Sequence, residues 1–233
     1  MKNKIYRVLS MLFYLISFTI LLFLFVSRFV TIVELSTNVK MILLLSIFIL
    51  VYLAGLILVK KLNYSKNILK FNLIIYFLIY IVIVFSLTLF EELYGRNGLM
   101  FIKWDKELFK EYFSTSFNIV PFDTIKIFIN GYNKNIVSFK DFFLNIFGNL
   151  IVFMPCSIFL PMIFKNLKRY TEYFVYIVCI VLIIEFLQFI TLSGSFDIDD
   201  LILNVLGASI MYFIYNIKLI KKIINKFFFL ENN

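Results

Sequence analysis

YFVYIVCIVLIIEFLQFITL, residues 173–192, is a twenty-residue run interrupted within its length by one carboxylate, Glu185, and one carboxamide, Gln188. At about 1.5 Å of rise per residue, such a run crosses the hydrocarbon of a bilayer as a helix. It has no continuous polar face, which a helix at the surface of a soluble domain would need. The reading is therefore a transmembrane helix carrying a carboxylate inside it. Five residues beyond Leu192 comes Asp197-Ile-Asp199-Asp200-Leu-Ile-Leu-Asn204, the start of a second apolar run.

Working outward, five more runs can each span a bilayer: Val8–Val26, Met41–Val59, Phe71–Phe90, Phe142–Phe164 and Leu201–Ile220. Lys218 lies near the end of the last, where a long side chain can snorkel to the headgroups. The chain is 62% hydrophobic and 16% charged, outside the range of soluble domains. Val8–Val26 lacks a small-residue cleavage site after it and is expected to stay as a helix, not to act as a signal peptide. Cys156 and Cys179 both fall in apolar runs and form no disulfide framework. The absence of histidine removes the commonest general base and zinc ligand. The expected fold is all-α, with six membrane helices.

Lysine and arginine set the orientation. With the N-terminus inside, segments 1–7, 60–70, 165–172 and the tail after 217 are cytoplasmic. They carry 14 basic residues against 2 acids. Both termini are thus expected in the cytoplasm. The +9 net charge is a topology signal and calls for no nucleic-acid partner. One long connection, residues 91–141 between the third and fourth helices, falls outside. In it Trp104, Leu108, Phe109, Tyr112 and Phe113 recur at helical spacing, which suits a short helix in the outer interface or one packed on the loop itself. Asn118-Ile-Val-Pro121-Phe122 marks a turn, Gly131 with its Asn neighbours marks a break, and Ser138 three residues before Asp141 caps the fourth span. Pro155 and Pro161 interrupt that span, freeing the carbonyls of Ile151 and Ser157.

Helix rise converts position into depth. Asn149 and Glu185 fall at one level, roughly 10 Å below the outer boundary, with Asn145, Gln188 and Asn204 about half as deep. Asn145/Asn149, Glu185/Gln188 and Asp200/Asn204 are each spaced to share a helix face. Gly148 and Gly207 join those faces, where small residues let helices approach. Asp197, Asp199 and Asp200 stand at the surface above. Asp197 and Asp200 suit a helix cap, and three acids exceed what a cap requires. A carboxylate inside a membrane helix costs a few kcal/mol and marks a site by default. The candidate pocket is therefore Asn118, Asn145, Asn149, Glu185, Gln188, Asp197, Asp199, Asp200 and Asn204, with Asp199 and Asp200 as candidate metal ligands.

The blocks Asn118-x-x-Pro121-Phe122, Asn145-x-x-Gly148-Asn149-x-x-x-Phe153-x-Pro155, Leu160-Pro161, Glu185-x-x-Gln188 and Asp197-x-Asp199-Asp200-x-x-x-Asn204-x-x-Gly207 resemble the VanZ-like family in order and spacing. The resemblance covers residues 71–220 as a four-helix membrane domain including the loop. Residues 1–66 lie outside it as an added two-helix hairpin. It implies a bacterial integral membrane protein, and the founding member is associated with lowered susceptibility to the glycopeptide teicoplanin. It brings no catalytic mechanism. Ser157 stands where the family usually has Gly, and Ser195 where an Arg often precedes the acids, so a cationic partner is missing there.

The leading expectation is a multi-pass cell-membrane protein whose outer pocket acts on or near envelope precursors, a lipid-linked cell-wall precursor or a lipid headgroup, and lowers glycopeptide susceptibility. No cofactor is expected on that reading. The alternative is an intramembrane enzyme, with Glu185 as acid or base and Asp199 and Asp200 holding Mg²⁺ or Ca²⁺ over a lipid-linked substrate. A transporter using Glu185 as proton carrier has least support, since the polar groups stop at mid-membrane.

Overall fold

The computed structural model describes residues 2–29, 35–62, 66–89, 106–191 and 193–228. Among these the chain is all-α apart from one pair of two-residue strands. Its elements are α1 (Lys2–Phe29), α2 (Thr37–Leu62), α3 (Lys66–Leu89), α4 (Lys106–Ser116), β1 (Phe117–Asn118), α5 (Asp123–Asn133), α6 (Phe139–Phe143), α7 (Asn149–Val152), α8 (Cys156–Ile163), α9 (Tyr170–Ile190), β2 (Phe196–Asp197), α10 (Ile198–Asn216) and α11 (Lys218–Phe227). A π-helical turn, Leu144–Gly148, joins α6 to α7.

Among the described residues five helices are long and apolar enough to cross a membrane: Lys2–Ser27, Ile42–Leu62, Phe139–Ile163, Tyr170–Ile190 and Ile198–Asn216. The run expected as the third span contributes a shorter apolar helix, Lys70–Phe85, within the described residues. The last run ends at Asn216, not Ile220: Ile217 is extended, at φ −61° and ψ 125°, and a separate helix follows.

The chain divides into two compact units, one of Met1–Tyr76 with Asn225–Asn233 and one of Phe77–Ile224. In the first, α1 packs along α2. The Ser10 hydroxyl donates to the Ala54 carbonyl at 3.2 Å, and the Tyr14 hydroxyl donates to Asn72 on α3. A Cβ at Gly55 would collide with the Asn72 Nδ2, so a larger residue there would have to turn that carboxamide aside.

The second unit is built on α7–α10. Its core holds Val84, Phe153, Cys156, Leu160, Tyr173, Ile177, Val181, Ile184, Ala208 and Tyr212. Gly207 rests directly on the main chain of α7, where a Cβ would fall inside the Leu150 carbonyl oxygen's van der Waals shell. The fourth span breaks at Pro155, as its sequence implies, but the Ile151 carbonyl does not stay free: it accepts the Met154 amide at 3.0 Å. The next carbonyl, Val152, accepts the Tyr80 hydroxyl at 2.7 Å. Neighbouring groups thus repair the break, as hydrocarbon demands. Ser157, fully buried, bonds the Tyr173 hydroxyl and donates to the Ala208 carbonyl, each at 2.6 Å, so it ties α8 to α9 and α10.

Two local expectations come out differently. Gly131 does not break the chain; it sits in the last turn of α5, and the end comes at Asn135, in the left-handed region at φ 57°. There the Ile136 and Val137 amides both reach back to the Gly131 carbonyl. The loop helix is present as α4. It packs on the end of α9, the Phe189 ring lying 5.4 Å from Tyr112 and 6.2 Å from Phe113, centre to centre. Trp104 lies outside the described residues.

Candidate functional site

Three segments distant in sequence meet at the start of α10. β1 pairs in parallel with β2, placing Asn118 opposite Asp197. Two residues per strand make a clip, not a sheet, and side chains extend it. The Asn118 carboxamide donates to Asp197 Oδ1 at 3.1 Å and to Thr124 Oγ1 at 2.9 Å. The Thr124 hydroxyl donates to Asp197 Oδ2 at 2.6 Å. Asn118 Oδ1 in turn accepts the Val120 amide at 2.9 Å, closing the turn before Pro121.

Asp197 is also the N-cap of α10, its Oδ1 accepting the Asp199 amide at 2.9 Å. That is the cap read from the sequence. Asp199 does something the local sequence does not announce. Its side chain, with no exposed surface, accepts the Phe122 amide on Oδ1 and the Ile125 amide on Oδ2 at 3.0 Å. These belong to the N-cap and third residue of α5, whose own N-cap offers no side-chain bond. A capping box normally uses two side chains for those donors; here one carboxylate from another helix serves both. The helix's positive end also favours the negative charge.

Asp200 faces the other way. The Asn149 carboxamide on α7 donates to Asp200 Oδ1, and the Asn204 carboxamide donates to the Asp200 carbonyl at 2.7 Å. Glu185, buried on α9, lies beneath the cap of α10 and accepts the Asp197 amide on Oε2 at 3.4 Å. Eight of the expected residues are therefore at one end of the unit, but not all face one space. The Gln188 side chain turns to α3, donating to the Thr88 carbonyl at 2.8 Å, while the main-chain carbonyl of Gln188 accepts the Ser193 and Gly194 amides. Asn145 falls in the π turn and makes no hydrogen bond to the cluster. The π turn spoils the regular spacing that aligned Asn145 with Asn149.

The expected cationic partner has a neutral substitute. The donors on Asp197 and Asp199 are main-chain amides, one hydroxyl and one carboxamide. Arg96, the one arginine of the 91–141 connection, lies outside the described residues. Among the described residues no group of three or more His, Cys, Asp or Glu is placed to hold a metal. Thr124 was not anticipated. The signal available was a hydroxyl two residues beyond Pro121-Phe122, which points to nothing until the loop folds against Asp197.

The clip presents an apolar tip. Ile119 is 62% exposed and Phe122 52%, with Val120 and Pro121 exposed between them. Phe122 holds a left-handed backbone at φ 68°, an uncommon state for a side chain of this size. That conformation is what aims its amide at Asp199.

A family model described as VanZ/LLP1 matches residues 77–220. No curated protein and no solved structure matches the chain.

Proposed function

This chain belongs to the VanZ/LLP1 family, and from that premise we propose that it is a multi-pass cell-membrane protein that lowers susceptibility to teicoplanin-type glycopeptides. Its working surface is the Asn118–Phe122 tip held by Asp197 and Asp199. Six spans, with both termini cytoplasmic and residues 91–141 outside, put that tip at the outer leaflet. There a lipid-linked cell-wall precursor or lipid headgroup would meet it. Residues 1–66 serve as an added membrane hairpin.

The observation that carries this reading is the use made of the acids. Asp197 and Asp199 spend their oxygens on amides and a hydroxyl of one loop, and the loop they hold is apolar and exposed. That is the pattern of a positioned contact surface. Asn149, Glu185, Asp200 and Asn204 form the wall behind it. An enzyme built on Glu185 with Mg²⁺ or Ca²⁺ on Asp199 draws less support, because both Asp199 oxygens already serve α5.

The test is the protection conferred on a glycopeptide-sensitive bacterium expressing the chain. Asp199→Asn and Glu185→Gln should each lower the teicoplanin inhibitory concentration toward the empty-vector value, with equal protein in the membrane fraction. Full protection by both variants would remove the cluster from the mechanism.

A further inference from the structure

We propose that α11 is a surface anchor that docks on an anionic phospholipid leaflet at the end of α10. Its sequence is Lys218-Leu-Ile-Lys-Lys-Ile-Ile-Asn-Lys-Phe227. On a helical projection Leu219, Ile220, Ile223, Ile224 and Phe227 occupy one arc of about 140°, and the four lysines with Asn225 fill the opposite side. That separation is the mark of a helix lying in a membrane interface.

Three further observations single out lipid of opposite charge. The helix holds four lysines and no acid, so any surface that complements it is negative. Lys218 sits in its first turn, where the helix dipole repels a cation, so the lysines are not arranged to stabilise the helix itself. The apolar face keeps open surface, with Leu219 66% and Ile223 56% exposed and Ile220 and Ile224 half-buried beside them. Phe227 is 42% exposed, and its ring stacks on Tyr52 at 5.2 Å.

The junction suits a change of environment. α10 ends at Asn216, Ile217 is extended, and α11 begins anew, the Lys221 amide bonding the Ile217 carbonyl at 2.9 Å. A ten-residue helix is marginal in water by itself and needs a surface to pack on. A bilayer edge offers both apolar depth and phosphate charge at that point. The lysines after 217 then do more than set orientation: they make α11 responsive to the charge of the leaflet.

The experiment uses the full chain in vesicles of phosphatidylcholine, alone or mixed with phosphatidylglycerol. With Trp104→Phe as background, Leu219→Trp places the sole indole on the apolar face, and acyl-chain-brominated lipid reports its burial. Quenching should be strong in the mixed vesicles, weak in phosphatidylcholine alone, and reduced by salt. Lys222→Gln and Lys226→Gln should each lower the docked-to-undocked ratio about fivefold. Equal quenching in both lipids, or none in either, would overturn the proposal. So would quenching relieved only when the protein is diluted into lipid while salt has no effect, since the face would then belong to a second copy. Salt dependence is read on the chain with its lysines intact, which keeps the test independent of how the Gln variants fold.

Discussion

The amide of Ile125 donates to Asp199 Oδ2 at 3.0 Å across 74 positions of sequence, so the N-terminus of α5 is capped by the first turn of α10. Phe122 sends its amide to the other oxygen. A loop helix is thereby fixed to α10 by two amide-to-carboxylate bonds whose donors are main chain.

Asp199→Ala should strand two amides and open the junction. Losing two bonds to a buried carboxylate costs about 3 kcal/mol. The melting temperature in detergent should fall, and hydrogen exchange at Phe122 and Ile125 should rise well above that of the α9 core. Unchanged exchange at those two amides would mean that something else caps α5.

Gly207→Ala should be worse than its one methyl suggests. The added carbon meets the Leu150 carbonyl, which is main chain and cannot turn aside, so α10 must move off α7. A loss of about 2 kcal/mol is expected for overpacking of this kind. Gly131→Ala is the control. Its Cβ meets the Val137 Cγ2 at 2.5 Å, a side-chain atom that can rotate, and alanine favours the helix. If the two variants melt alike in detergent, the α7–α10 contact is looser than the structure has it.

What was legible in the sequence follows from how local each cause is. Ser138 caps α6 through Asp141, three residues away, and Asp197 caps α10 through Asp199, two residues away; both could be read directly. The long helices were legible because apolar length alone dictates them. α5 was not, because the carboxylate that accepts its first amides is Asp199, 74 positions beyond Ile125, and Asp123 in its first turn is a weak signal by itself. The pairing of Asn118 with Asp197 was equally hidden, since two-residue strands have no periodicity to detect. Depth counting levels Asn149 with Glu185 and leaves Asp200 at the surface above, whereas the Asn149 carboxamide donates to Asp200; it also assigns Asn145 to the face of Asn149. One π turn was enough to undo that assignment.

Ser157→Ala tests what the serine does at its buried junction of α8, α9 and α10. Its hydroxyl links the Tyr173 hydroxyl and the Ala208 carbonyl. Its loss should cost about 1 kcal/mol. Tyr173 keeps a longer contact of its own to Ala208, at 3.4 Å, so the cost is not complete. The bond between the two hydroxyls is lost in either single, so Tyr173→Phe with Ser157→Ala should cost less than the two singles added, when detergent melts are compared as a double-mutant cycle. Strict additivity would show that the two hydroxyls act apart.

Thr124→Val and Asn118→Ala probe the clip itself. Thr124 gives Asp197 Oδ2 its 2.6 Å bond, and valine keeps the shape while removing the donor. An acceptor that loses one donor in a partly wet site costs about 1 kcal/mol, too little to unfold the unit. It is enough to raise the open population of the 117–125 segment about fivefold, because 1.4 kcal/mol is tenfold. Cleavage there by a protease added to the outside of intact cells should rise by that factor. Teicoplanin protection should fall with it, and Thr124→Ser should restore both. Asn118→Ala removes the second donor to the same carboxylate, so it should act on the same opening step. If protection is lost while cleavage stays at the wild-type rate, Thr124 touches the ligand directly and the clip is not the device.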